Sequence, residues 1–250
     1  MLLVLTYHRI VNSPGDISGF FDICTDELET HGRAAASAWG GGASPGALQD
    51  NLKGNGSARH GVLFTFDDGT ADHYSIAAPS LERNGLRGVF FVSTALLDTP
   101  GYLTLCQCKE LQQRGHAIES HSHEHKGLVG LTKDDLQNQL HESRRRLRDA
   151  GLGQWEFIAV PGGYFDATVI QMAGAAGYHN LRTLKWGYNR NTDPFCVESI
   201  TVNRKTSGQW FNWLASPHFE WTKKAIYQTK ENLKNCSPKL YSWFRYSKSR

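Results

Sequence analysis

The chain has 250 residues, 40% of them hydrophobic, which is enough for one large domain with a buried core or for two small ones. Its formal charge of +3, from 27 Lys and Arg against 24 Asp and Glu, is too small to point to a nucleic-acid partner, and none is expected. Five cysteines cannot all pair internally, and the only close pair, Cys106 and Cys108, lacks the spacing of a zinc site, so reduced thiols are expected.

The predicted elements alternate in type. Leu2 to Tyr7 is an apolar run read as a first buried strand; it has no basic leader and is too short for the core of a signal peptide. No apolar run is long enough to cross a membrane, so a soluble, cytoplasmic protein is expected. Residues 32–60 are rich in Gly, Ala, Ser and Asn and read as a flexible surface excursion with at most a weak helix. Val62 to Phe66 and Gly88 to Ser93 are the next strands, followed by Ala117 to Ser120 and Phe157 to Val160, with later ones at Asn180 to Thr183 and Cys196 to Val202. Helices are predicted between them: Ile76 to Asn84 before Gly85, Leu103 to Arg114 before Gly115, and Asp166 to Ala176 before Gly177. The clearest helix runs from an N-cap at Thr132 to Ala150, with Gly151 as its stop. This alternation defines an α/β fold with a mostly parallel sheet. The main domain is predicted over residues 1–215. A basic, aromatic C-terminal tail follows over 216–250; it reads either as a solvated helix with a fraying end or as a surface for an acidic membrane or glycan, with peripheral contact at the inner membrane face.

In parallel α/β sheets the chemistry collects beyond the carboxyl ends of the strands. Three suspicious segments fall there: Asp67-Asp68-Gly69, His121 to His125, and Pro161-Gly162-Gly163. Two neutral imidazoles and a carboxylate can hold a divalent ion with positions left open. His121 and His125, four apart, would point the same way on a helical turn, so the expected ligands are Asp68, His121 and His125. Zinc suits this donor set best; cobalt, nickel or manganese are alternatives. Asp67 then stays free as a proton acceptor for a water whose pKa the ion has lowered. The plain alternative for Asp67 is a turn residue ahead of Gly69.

The segment Leu63-Phe-Thr-Phe-Asp-Asp-Gly69, followed by His121-Ser122-x-x-His125, resembles the first two signatures of the polysaccharide deacetylases that share the NodB homology domain, carbohydrate esterase family 4. The resemblance covers roughly residues 1–205. It implies a distorted (β/α) barrel, a divalent metal, and removal of N-acetyl, less often O-acetyl, groups from a sugar. By position Asp67 matches the base, Asp68, His121 and His125 match the ligands, and Ser122 matches a residue bracing the loop by hydrogen bonding.

Later signatures depart from the pattern. Ile158-Ala-Val-Pro-Gly-Gly163 lacks the arginine that orients the base and is similar to an F-x-x-P-x-G variant. Gly162, after the proline, is the candidate oxyanion donor, with Tyr164 beside it as a candidate substrate contact; a simple turn is the other reading. Trp186 resembles a pocket-lining tryptophan and would stack on a sugar, or else pack in the core. The late L-x-H signature that supplies a general acid is missing. The opening Leu5-Thr-Tyr-His-Arg9 instead resembles the poly-N-acetylglucosamine deacetylase branch, where such a histidine is the acid. His8 takes that role here, or is a structural hydrogen-bonding residue. His73 and His179 are weaker candidates for any role.

The expected partner is therefore an N-acetylated glycan. An aspartyl-nucleophile phosphatase would need D-x-D-G-T, and Phe66 occupies its first position. A deacylase of a small amide and a non-catalytic, metal-retaining carbohydrate-binding relative are the competing readings.

Overall fold

The computed structural model describes residues 1–52, 61–190, 192–208, 210–218 and 222–229. Among the described residues nine strands are formed: β1 (Leu2–Tyr7), β2 (Ile10–Val11), β3 (Ile23–Cys24), β4 (Gly61–Phe66), β5 (Gly88–Val92), β6 (Ala117–Ser120), β7 (Phe157–Ala159), β8 (Asn180–Arg182) and β9 (Ile200–Thr201). The helices are α1 (Thr25–Trp39), α2 (Pro45–Leu52), α3 (Ala78–Glu82), α4 (Leu105–Gln113), α5 (Lys133–Asp149), α6 (Ala167–Ala175) and α7 (Trp210–Ala215). Seven strands make one parallel sheet in the order β8-β7-β6-β5-β4-β1-β9, while β2 and β3 form a separate parallel pair.

The sheet curls into the distorted barrel of the NodB type. Its two edges approach through residues 197–202. Val197 bridges to Arg182 of β8, and three residues later Ile200 and Thr201 pair with Leu5 and Thr6 of β1. The strand predicted from Cys196 to Val202 is therefore broken: Pro194–Cys196 is a 3-10 turn, because the proline cannot donate to a ladder, and only Ile200–Thr201 is strand.

Alternation decides what each strand buries. Leu2, Val4, Leu63, Val89, Phe91, Ala117, Phe157 and Ala159 pack together inside the curl. Leu3, Leu5, Phe64, Phe66, Phe90 and Val92 face outward onto Leu28, Ala35, Trp39, Leu81 and Leu111 of the helices. With both faces covered, the strands read as unbroken apolar runs. One interior position breaks this rule. Glu119 is buried, and its carboxylate accepts N–H bonds from Trp155 and Phe157 at 3.0 Å each. It substitutes for ladder bonds where β6 and β7 share only the Ser120–Ile158 register pair.

The helices follow their capping signals. Thr132 Oγ1 accepts the Asp135 N–H, acidic Asp134 and Asp135 fill the first turn of α5, and Arg146 and Arg148 the last. The buried stripe Leu136, Leu140, Ser143 and Leu147 has helical spacing. Asp166 caps α6 the same way. The expected excursion at residues 32–60 is corrected in part. Residues 32–39 continue α1, with Gly32, Ala35 and Trp39 buried, and Pro45–Leu52 is helical; residues 53–60 lie outside the described residues. Ala and Ser are compatible with helix, and the apolar face supplied by Leu28, Ala35 and Trp39 tips the balance. Of the predicted tail, residues 222–229 are helical and 230–250 lie outside the described residues. Among the described residues no helix is long and apolar enough to cross a membrane.

Candidate metal centre and active site

All seven parallel strands point their carboxyl ends to one edge, and the interior turns polar there. Above the apolar layer, Thr6 and Thr65 touch through their hydroxyls at 3.2 Å, and Arg182 Nη1 donates to Thr6 Oγ1 at 3.3 Å. The next residue inward on β4's side is Asp67, 2% exposed. Its backbone N–H donates to the Tyr7 carbonyl at 2.9 Å, so the end of β4 is tied to the end of β1 and hence to His8.

Asp68, His121 and His125 come together as expected. Each offers a donor atom, and these atoms all lie within 4.8 Å of one another. Asp68 Oδ1 is 2.9 Å from His125 Nε2 and 3.4 Å from His121 Nε2. The geometry differs from the helical turn anticipated for the histidines. Residues 121–125 form a loop in which Ser122 and His125 sit at φ +64° and +59°, and Asp68 sits at φ +76°. Three non-glycine residues in the left-handed region within one cluster are strain concentrated at a site. Gly69, at φ +73°, completes the aspartate turn, and a Cβ there would lie 2.9 Å from Val92 Cγ1.

The loop is held by its neighbours. Ser93 Oγ donates to the His121 carbonyl at 2.9 Å, and Ser122 N–H donates to Ser120 Oγ at 3.2 Å. The bracing expected from the Ser122 side chain is not observed: its Oγ is buried with no hydrogen-bond partner. His121 Nδ1 lies 2.8 Å from the Ala159 carbonyl, which can only accept. Nδ1 is thus turned to the carbonyl and Nε2 to Asp68. Two imidazole nitrogens and one carboxylate oxygen, with a carbonyl orienting the buried ring, fit a divalent ion such as zinc.

Asp67 has a partner that the sequence reading does not assign. Arg182 Nη2 reaches both of its carboxylate oxygens at 2.5 Å, and the guanidinium is fully buried. Burial by itself pushes the Asp67 carboxyl up, but the charges of Arg182, His121 and His8 outweigh it and hold the group below the usual carboxylate range. Asp68 is likewise pushed up by burial, but His121 and His125 outweigh that and hold it well below the usual carboxylate range. The segment Ile158 to Gly163 has no arginine, and the guanidinium beside Asp67 comes from β8. The available signal was an arginine inside a strand covered on both faces, since a buried guanidinium needs a carboxylate.

His8 lies beside this group. Burial lowers its pKa, while Asp67 and Asp68 pull it upward. Its ring stacks on Phe21 at 4.7 Å, and its buried Nδ1 has no hydrogen-bond partner. His73, read as a weak candidate, positions the backbone of His8: its Nε2 lies 2.9 Å from the His8 carbonyl, and Asp72 accepts the Ile10 N–H at 2.7 Å. His179 is elsewhere, 2.9 Å from Glu156.

The remaining candidates are spread out. Gly162, at φ +68°, follows buried Pro161 in the turn just beyond β7, the strand whose Ala159 carbonyl holds His121. Tyr164 is 75% exposed. Trp186 is partly buried; its ring stacks on Tyr227 at 5.6 Å and meets Tyr188 edge-on at 5.4 Å. It lines a cavity of about 290 Å³ with Trp213, Lys223 and Ile226.

The fold is thus a curled parallel α/β barrel whose polar rim gathers Asp67, Asp68, His121 and His125. The chain matches the family described as Polysaccharide deacetylase over residues 54–181, just over half its length, and it belongs to that family. It is 30% identical over 151 residues to YxkH of Bacillus subtilis (strain 168), which bears the same family description. That match spans 60% of this chain and 54% of YxkH, so the chain corresponds to about half of that relative. Among solved structures, the Streptococcus pyogenes deacetylase PplD in complex with acetate superposes with a TM-score of 0.77 at 24% identity, covering 86% of this chain and 98% of that one. IcaB from Ammonifex degensii gives 0.74 at 23% identity, covering 86% and 96%. Both likenesses concern the fold.

Proposed function

We propose that the protein is a metal-dependent hydrolase that removes N-acetyl groups from a sugar of a polysaccharide or glycan precursor. The observation that carries this reading is the pairing of two adjacent carboxylates with different partners: Asp68 lies against His121 and His125, while Asp67 is held by Arg182. Family membership supports the same reaction class.

Asp68, His121 and His125 would hold a divalent ion, zinc by preference of the donors, which would supply a water of lowered pKa and a Lewis acid. Asp67, ionised and aimed by Arg182, takes the proton from the attacking water. The Gly162 N–H stands ready for the oxygen on which negative charge develops. As the new C–O bond matures and the C–N bond breaks, His8 delivers a proton to the departing amine. Acetate and a free amino sugar result.

The test is acetate release from N-acetylated glycans, with and without chelator, alongside metal content per chain. Asp67→Asn is expected to abolish release while keeping the metal, and His125→Ala to lose both. A protein that binds metal and releases no acetate is a carbohydrate-binding relative; one that cleaves only small amides is a different deacylase. Either result overturns the reading.

A further inference from the structure

We propose that Phe20 and Phe21 form a sugar-stacking platform on the leaving-group side of the site, which makes the enzyme prefer a chain of sugars over a single one. This rests on the deacetylase reading and on His8 as the proton donor.

Phe20 and Phe21 are 48% and 41% exposed, among the most exposed large apolar side chains described. They meet edge to face at 5.1 Å and 76°. One face of Phe21 lies on the His8 ring at 4.7 Å. The pair therefore forms a ledge continuous with the group that must protonate the amine.

The ledge is built rigidly. Asp22, 4% exposed, accepts N–H bonds from Ser18 at 2.9 Å and Gly19 at 2.7 Å and pairs with Arg9 Nη1 at 3.1 Å. A Cβ on Gly19 would lie 2.8 Å from Asp22 Oδ1, so the tight turn requires glycine there. From the other side the Phe20 carbonyl accepts the Arg204 N–H at 3.0 Å. A loop tied at both ends holds two aromatic rings in water instead of tucking them away, which removes the ordering cost from binding.

Chemistry determines what covers the ledge. The departing nitrogen belongs to a pyranose ring. For His8 to reach it, that sugar must come against the His8–Phe21 stack. The apolar C–H face of a pyranose matches an aromatic face. The sugar at the reaction centre and its neighbour along the chain would thus rest on Phe21 and Phe20.

The probes are β-1,4- and β-1,6-linked N-acetylglucosamine tetramers and the free monosaccharide. Phe20→Ala is expected to raise KM for one or both tetramers by about threefold to tenfold, the size of one lost aromatic contact, with kcat within about twofold. The monosaccharide should change less, and Phe20→Trp should keep the wild-type KM. Phe21→Leu, which also touches His8, should lower kcat. Calorimetry of the chelator-treated protein with the tetramers should show the same loss in Kd for Phe20→Ala. Unchanged KM and Kd for both tetramers, or no tetramer binding by the wild type, overturns the platform. So does loss of co-sedimentation with anionic lipid vesicles while tetramer constants stay fixed, which would make the pair a membrane contact. If the wild type binds tetramers but releases no acetate, the deacetylase reading fails while the platform stands or falls on the calorimetry.

Discussion

Arg182 and Asp67, 115 positions apart in the chain, meet inside the barrel with one guanidinium nitrogen shared between both carboxylate oxygens. Neither residue is accessible to water to any useful degree, at 0% and 2%. The pair keeps the acid ionised and fixes its direction, which is what the proposed role of Asp67 as base would require.

Removing the arginine should therefore be costly in two ways. Arg182→Met leaves a buried carboxylate unpaired, which costs about 3–5 kcal/mol. Turnover is expected to fall about a hundredfold or more, since the base loses its orientation. Metal content should stay near the wild-type value, because Asp68, His121 and His125 do not touch Arg182 through any hydrogen bond or ion pair among the described residues. Urea denaturation, acetate release and metal analysis on one preparation check all three; wild-type turnover in a folded variant would remove Arg182 from the site.

Gly69 is required for two reasons, a left-handed φ of +73° and the 2.9 Å that a Cβ would leave to Val92 Cγ1, with Val92 Cα only 3.2 Å away. Gly69→Ala should destabilise the fold by about 2–4 kcal/mol, adding the left-handed penalty to overpacking. The aspartate turn must shift to relieve the contact, so metal affinity should weaken in parallel. Thermal unfolding with and without added zinc measures both effects.

His31 makes stability depend on pH. It is 2% exposed; its Nε2 lies 2.7 Å from the Ser207 carbonyl, Tyr7 Oη is 3.3 Å from Nδ1, and Phe211 stacks on it at 3.7 Å. Burial holds its pKa down to about 4, against the ordinary 6.5. The unfolded chain thus takes up a proton near pH 6.5 that the folded protein refuses until about pH 4, and stability is lost as pH falls through that window. At pH 5 the loss from this group is about 2 kcal/mol. Burial lowers His8 and His116 in the same direction. His31→Phe isolates the contribution: it should be less stable at pH 7.5, with two polar partners stranded, but should show a shallower decline toward pH 5. Parallel slopes for the two proteins would contradict the assignment.

Glu119→Ala would leave the part-buried N–H of Trp155 and the buried N–H of Phe157 without acceptors. The expected cost is about 2–5 kcal/mol, from two orphaned donors. Amide hydrogen exchange should speed up selectively at Trp155 and Phe157. Catalysis should be less affected than stability, because Glu119 lies below the Arg182–Asp67 layer.

How much could be read from the chain alone follows from range. Strand and helix identities were legible because apolar runs, caps such as Thr132 and Asp166, and stops such as Gly115 act over a few residues. The grouping of Asp68, His121 and His125 was legible because all three fall just beyond strand ends, and a parallel sheet brings such ends to one edge. The helical character of residues 32–39 was not: their composition is neutral, and burial of Trp39 and Ala35 against the sheet supplies the preference. The left-handed loop that replaces the expected turn at 121–125 was also hidden, because the strain there is met by bonds from Ser93 and Ser120.

Local pattern in the sequence, then, determined the α/β order, the parallel sheet and the three donors for a cation. That Asp67 is held by Arg182, and that Phe21 covers His8, were decided only by tertiary structure. The reason is physical: these are contacts between segments far apart in the chain, and nothing in the local backbone preferences of either partner records the other.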